Sequence, residues 1–309
     1  MSINWNGVMP AVTTKFKDDD TLDLINFEVN ILAQLEAGVN GIILGGTLGE
    51  ASTLTDEEKR VLVRKAVEIV KGEVPVIINI AKQTTKAAID AARKAKEDGA
   101  AGLMMLPPMR YKADDRETTI YFKKVANSTS LPIMVYNNPV DYGIEVTLDM
   151  FEELLNECPN IQAVKESTRD LSNITRIKNR FGDRLAILSG VDTLALESLA
   201  MGADGWVAGL VCAFPRETVA IYNLSKAGRH EEALAIYRWF LPLLELDINT
   251  KLVQNIKLAE VATGIGTENV REPRLPLIGQ ERENVLAIIK KGLETRPTLP
   301  EYKNLLAFA

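Results

Sequence analysis

The sequence is short of the side chains most used for metal binding and acid–base chemistry. Its 309 residues include one histidine, His230, and two cysteines, Cys158 and Cys212. His230 sits in the polar helix start Gly228-Arg229-His230-Glu231-Glu232. That argues against a His-based zinc site and against a Ser-His-Asp triad on the main domain. Two cysteines make no disulfide framework and fit a reducing cytosol, so a cytoplasmic location is expected. No apolar run reaches the ~18 residues of a membrane span. The start, Met1-Ser2-Ile3-Asn4-Trp5, lacks the basic-then-apolar order of a signal peptide. A net charge of -6 and a pI near 5.2 argue against a nucleic-acid partner. Acid–base work then falls to Lys, Tyr, Thr, Ser, carboxylates or bound water.

What is present is alternation. Apolar residues make up 46% of the chain, enough for one large domain and an appendage. Short apolar runs at Gly7–Thr14, Gly41–Leu44, Pro75–Ile80, Leu103–Leu106, Pro132–Tyr136, Ile161–Lys165, Leu185–Leu188 and Gly205–Ala208 read as strands. Segments of helical spacing separate them, one opened by the capping box Thr55-Asp56-Glu57-Glu58. The joints Gly38-Val39-Asn40-Gly41, Gly99-Ala100-Ala101-Gly102 and Gly202-Ala203-Asp204-Gly205 repeat one helix-to-strand turn, whose first glycine suits a left-handed cap. Eight such units predict an α/β fold, a (β/α)8 TIM barrel, over residues 1–226. After Pro215 the strand signals stop. Helices follow over Arg216–Lys226, Glu231–Leu246, Lys251–Thr263 and Gln280–Lys291, the first of them the eighth barrel helix. Those beyond residue 226 form a small C-terminal helical region over 227–309, packed on the barrel.

Lys165 closes a buried strand. Its plain reading is a surface lysine with a long stem; its chemical reading is an amine whose pKa burial lowers, a nucleophile for carbonyls and imines. A barrel of this kind works at the C-terminal ends of its strands. That rule gathers Gly46-Thr47-Leu48-Gly49-Glu50, Tyr136-Asn137-Asn138-Pro139, Lys165-Glu166-Ser167 and Ser189-Gly190-Val191-Asp192. Tyr136 and Lys165 lie on neighbouring strands at equivalent ends. Tyr136 is otherwise a core aromatic with a satisfied hydroxyl, and the glycine-rich loop otherwise a simple turn. That loop also exposes amides suited to a carboxylate.

Gly46-Thr47-Leu48-Gly49-Glu50, Tyr136-Asn137-Asn138-Pro139 and Val164-Lys165-Glu166-Ser167 resemble three signatures of the dihydrodipicolinate synthase/N-acetylneuraminate lyase family. The likeness covers essentially the whole chain. It implies a class I Schiff-base enzyme, commonly a homotetramer, acting on a small 2-oxo acid or imino acid. In that resemblance Lys165 forms the imine, Tyr136 relays protons and Thr47 positions it. Gly46, Leu48, Val207, Asn138, Ser167, Ser189, Gly190 and Arg110 are the residues expected around the substrate. The imine is the electron sink, so no metal and no organic cofactor is expected.

Three departures bear on substrate. Leu48 stands where the synthase pattern has a second threonine, Asp141 where it has an arginine, and Arg110, beside Tyr111, where a neighbouring subunit donates a tyrosine. They argue against the lysine-pathway synthase. Asp192-Thr193 argues against sialic acid cleavage. Leu106-Pro107-Pro108-Met109, Tyr237–Leu243 and Arg271–Leu277 are similar to the hydroxyproline-catabolic branch of the family. The resemblance therefore implies a lyase/hydrolase that deaminates 1-pyrroline-4-hydroxy-2-carboxylate to 2,5-dioxopentanoate and ammonia. Alternatives are a 2-keto-3-deoxy sugar acid dehydratase or aldolase, a dihydrodipicolinate synthase-like lyase and, from another class, a non-catalytic binding barrel.

Overall fold

Eight strands run parallel in the computed structural model, which describes residues 3–108, 111–303 and 305. They are β1 (Gly7–Pro10), β2 (Ile42–Leu44), β3 (Val76–Ile80), β4 (Gly102–Met105), β5 (Ile133–Asn137), β6 (Ile161–Glu166), β7 (Ala186–Ser189) and β8 (Gly205–Ala208). Their order in the sheet is β1-β8-β7-β6-β5-β4-β3-β2. The remaining seam closes where Ala11 bridges Ile43 and the Val12 amide donates to the Ile43 carbonyl at 2.9 Å. The fold is the expected (β/α)8 barrel.

Helices α1 (Leu24–Ala37), α2 (Asp56–Val70), α3 (Thr85–Glu97), α4 (Asp115–Ala126), α5 (Pro139–Tyr142), α6 (Leu148–Glu157), α7 (Ser172–Phe181), α8 (Ala195–Ala200) and α9 (Pro215–Lys226) connect and surround the strands. The capping box forms: Thr55 accepts from the Glu58 amide, and Glu58 accepts from the Thr55 amide. Gly38, Gly99 and Gly202 all have positive φ, as the repeated joint requires.

Strand side chains alternate between two cores. Met9, Ile43, Ile77, Met104, Met134, Tyr136, Ala163, Leu188 and Val207 fill the barrel interior. Val8, Ile42, Leu44, Val135, Val164, Ile187 and Trp206 face the helices. Each fully buried aliphatic side chain stabilises by roughly 1.5–3 kcal/mol. This parity also sorts the polar residues. Lys165 shares the inward face of Ala163. Ser189 and Glu166 share the outward face of Ile187 and Val164.

Beyond α9 come α10 (His230–Leu244), α11 (Leu252–Thr263) and α12 (Gly279–Glu294). The helix expected to reach Leu246 stops at Leu244 and tightens into a 3-10 turn, Glu245–Ile248. Such turns are common at helix ends. Helix α11 presents Lys257 and Glu260, three residues apart and so on one face. Both are fully buried, and both pair with barrel loops. Lys257 Nζ lies 2.5 Å from Glu50 Oε1, and Glu260 Oε2 lies 2.8 Å from Lys15 Nζ. Thr13 Oγ1 donates to Glu260 at 2.6 Å, and the Arg271 amide donates to Glu50 at 3.1 Å. Glu50 ends the Gly46–Glu50 loop, so α11 fixes the loop that carries Thr47.

Buried pairs of this kind resist the loss of one partner more than the loss of both. Glu260→Leu, which strands the Lys15 ammonium, is expected to lower stability by about 3–5 kcal/mol. The Lys15→Met/Glu260→Leu double variant should recover most of that loss, as read from urea denaturation midpoints.

Candidate active site

β5 and β6 pair with Tyr136 opposite Lys165, and both side chains point inward. The Lys165 Nζ lies 4.1 Å from the centre of the Tyr136 ring. Burial lowers the Lys165 pKa; the phenol of Tyr142 and the carboxyls of Asp247, Asp192 and Asp141 oppose that shift. The amine is therefore easier to hold in its neutral, nucleophilic form than a surface lysine. Burial pushes the Tyr136 phenol up to about 12, so at neutral pH it is a protonated donor.

Gly190 makes room for the lysine. A Cβ there would lie 2.1 Å from Ser167 Oγ and 2.7 and 2.8 Å from Lys165 Cγ and Cε. Nothing larger than hydrogen fits between the end of β7 and the lysine stem.

Around the amine opens a cavity of about 300 Å³. It brings together Lys165, Tyr136, Thr47, Gly46 and Leu48. Asn138, Ser167, Gly190 and Val207 also line it. Among the described residues the Thr47 and Leu48 amides donate no backbone hydrogen bond. They are two N–H groups suited to a carboxylate. The Asn138 amide nitrogen donates to the Tyr136 hydroxyl at 3.1 Å and to Asp141 at 2.7 Å. Ser167 Oγ is buried beside that hydroxyl and, among the described residues, completes no hydrogen bond.

Three expectations need correction or fall outside. Thr47 does not bond Tyr136: its Oγ1 lies 2.7 Å from the hydroxyl of Tyr142. Ser189 turns outward, 3.1 Å from Ser198 Oγ on α8, because its strand parity is opposite to that of Leu188 and Gly190. Arg110 lies outside the described residues; its neighbour Tyr111 is exposed. Asp141 lies at the cavity mouth, with Arg169 Nη2 3.8 Å away. Asp192 sits behind the cavity, held by Trp206 Nε1 at 2.9 Å and by the amides of Gly209 and Leu210.

Three lining residues went unread in the sequence. Tyr142 ends the one-turn helix α5, stacks edge-on against Tyr136 at 5.6 Å and is itself pushed up to about 12 by burial. Asn138 as N-cap and Pro139 at the first position signalled that helix. Arg169 follows β6 with φ +65°, and only the fold reveals its place. Asp247 enters from the 3-10 turn after α10, far outside the barrel repeats. Among the described residues no group of three His, Cys, Asp or Glu is placed to hold a metal ion.

The arrangement is a desolvated amine over one phenol, a second phenol bonded to a threonine, and free amides nearby. It suits imine formation with a carbonyl compound that carries a carboxylate.

Comparison with known proteins agrees with that chemistry. The model of the dihydrodipicolinate synthetase family matches residues 4–292. A 4-hydroxy-tetrahydrodipicolinate synthase from Methanothrix thermoacetophila is 32% identical over 291 residues, covering 93% of this chain and 97% of that protein. The dihydrodipicolinate synthase structure from Bacillus anthracis superposes with a TM-score of 0.90 at 29% identity, covering 96% of this chain and all of that one. A dihydrodipicolinate synthase from Acinetobacter baumannii, solved in complex with pyruvate, superposes at 0.88 with 25% identity over 93% of this chain and 98% of that one. These relatives are synthases, and they lend no support to the resemblance to the hydroxyproline branch.

Gly190→Ala is expected to displace Lys165 and Ser167. Reductive trapping of a small 2-oxo acid on Lys165, read by mass spectrometry, should fall at least about tenfold, given the sub-van der Waals contacts a Cβ would make.

Proposed function

Because the chain belongs to the dihydrodipicolinate synthetase family, we propose that it is a class I Schiff-base lyase of the dihydrodipicolinate synthase type, acting on pyruvate or a related 2-oxo acid. The observation that carries this reading is the buried Lys165 amine over Tyr136, beside loop amides that have no backbone partner among the described residues. The family consists of enzymes that act on small molecules.

In this reading the substrate carboxylate sits on the Thr47 and Leu48 amides. Lys165 attacks C2, and the carbinolamine loses water to give the imine. The imine acidifies C3, whose proton departs to leave an enamine. Tyr136 moves protons at the nitrogen and at the departing oxygen. Tyr142 and Thr47 extend that relay toward the mouth, both from the same chain. The imine supplies the electron sink, so the reading calls for no cofactor.

The product named for the relatives suggests the second substrate for this reading. Opening 4-hydroxy-tetrahydrodipicolinate at its ring imine, then at the bond between the hydroxyl carbon and the pyruvate-derived carbon, gives pyruvate and aspartate 4-semialdehyde. Arg169 at the mouth is the cation available among the described residues for the distal carboxylate, beside Asp141 where the family resemblance expects an arginine.

That exchange of an arginine for Asp141 favours a second reading. In it Lys165 attacks the cyclic imine of 1-pyrroline-4-hydroxy-2-carboxylate, the 4-hydroxyl leaves by elimination, and hydrolysis releases 2,5-dioxopentanoate and ammonia. A homo-oligomer, a tetramer on the resemblance, belongs to either reading; exposed Ile25, Leu275 and Ile278 are apolar surface such contacts would cover. So does a reducing cytosol, where the buried free thiols of Cys158 and Cys212 would remain reduced.

Pyruvate with borohydride is expected to add one reduced pyruvyl group to Lys165 and none to Lys165→Ala, which should keep its fold. Absence of the adduct on the wild-type chain overturns the Schiff-base reading. Turnover of pyruvate with aspartate 4-semialdehyde supports the first substrate assignment. Ammonia release from the pyrroline alone supports the second.

A further inference from the structure

Asp247 belongs to none of the barrel's repeats. It is carried by the 3-10 turn after α10 and reaches the cavity that holds Lys165. Its carboxyl approaches through a gap left by Gly209, where a Cβ would lie 2.5 Å from Oδ1 and 2.8 Å from Oδ2. Among the described residues it makes neither a hydrogen bond nor an ion pair within contact distance. The groups that act on it are burial, the charge of Asp192 and, in the opposite sense, Lys165.

Burial raises the pKa of the nearby Asp192 carboxyl as well, but where Asp247 has no donor among the described residues, Asp192 has donors that oppose the shift. Four contacts from the Trp206 indole and the Gly209 and Leu210 amides hold it, and each favours its anion. An ionised Asp192 makes ionisation of Asp247 harder. The anion belongs on Asp192, where the donors are. The proton belongs on Asp247, whose pKa burial and the Asp192 charge raise well above the ordinary carboxyl value. Tyr136 and Cys212 are the other titratable groups on which an ionised Asp247 would act.

We propose that Asp247 is the general acid that delivers a proton to the oxygen on the second carbon from the Lys165 imine carbon. The proposal rests on the Schiff-base reading above. It applies to both substrate assignments, because each places an oxygen on that same carbon. In the condensation, enamine C3 attacks the aldehyde carbon and the new carbon–carbon bond forms. The carbonyl π electrons move to oxygen, which takes the Asp247 proton, and the nitrogen lone pair completes the iminium. In the elimination, the carbon–oxygen bond breaks with its electron pair on oxygen. The Asp247 proton joins that oxygen, water leaves, and the enamine electrons form the new double bond. Asp247 ends as the carboxylate in either case and recovers its proton from solvent at the cavity mouth.

This divides the labour between two sides of one amine. Tyr136, against the amine, serves imine formation and the enamine. Asp247 serves the oxygen that appears only when the second half-reaction begins. A single substitution separates these roles. Asp247→Asn keeps the size of the side chain and removes the transferable proton.

Two measurements on the full chain test it. Deuterium exchange into the pyruvate methyl group in D2O, followed by NMR, reports imine and enamine formation alone. It is expected to stay within about threefold of wild type in Asp247→Asn. Turnover of pyruvate with aspartate 4-semialdehyde, or of the pyrroline, is expected to fall at least about 100-fold, the usual effect of removing a positioned acid. Turnover within threefold of wild type overturns the proposal. So does loss of exchange in parallel with turnover, which would place Asp247 in support of Lys165. Absence of exchange in the wild-type chain instead overturns the Schiff-base reading and, with it, this proposal.

Discussion

The two-residue alternation of a closed, eight-stranded parallel barrel governs this molecule. Each strand presents one set of side chains to the axis and the other to the helices, and closure leaves no strand free to slip. With Ala163 inside, Lys165 is inside. With Leu188 inside, Gly190 is inside and Ser189 is not. Tyr136 faces Lys165 because β5 and β6 run in register from the Met134–Ala163 pair onward, after a one-residue shift at Ile133. The cavity, its amine and its phenol follow from strand parity before any residue-specific contact is considered.

Desolvation then gives the position its chemistry. A lysine at the end of an exposed strand would keep its charge and its water. Here the barrel interior below, Tyr136 against it and the C-terminal turn above withhold solvent, which favours the neutral amine. The same burial moves the Tyr136 and Tyr142 phenols, protonated at neutral pH in any case, still further from losing their protons. One physical effect thus favours the neutral form of all three: a base that is free to attack and two acids that keep their protons. The charged pairs of α11 belong to the same economy of burial. They are placed where loss of one partner is costly, and they hold the Thr47 loop against the cavity.

The strand-and-helix alternation was legible because its signals are local. Apolar runs, a capping box and three glycine joints each depend on a few neighbouring residues. Lys165, Tyr136 and the glycine-rich loop were legible because barrel strands end on the functional face. The misjudged residues depend on longer range. Ser189 was placed by its position at a strand end, without the parity that turns it outward. The role of Thr47 beside Tyr136 comes from the family resemblance, and its contact with Tyr142 depends on a helix of a single turn. Asp247 has no local mark at all. Its place follows from how α10 ends and where the following turn docks, which is a matter of tertiary packing. Substrate identity was the least legible of all, because Leu48, Asp141 and Arg169 alter a shared pocket without altering the fold.

The empty space at Gly190 has an implication for moving this chemistry elsewhere. A nucleophilic lysine is commonly pictured as a single residue that a barrel either has or lacks. Here it is half of a two-strand unit, a long side chain on β6 and a missing one after β7. Grafting the lysine onto another strand of this or a related barrel would bring the amine but not the channel for its stem. The transplant would succeed only where the next strand also ends in glycine, so the transferable part of this site is a seam between strands and not a residue.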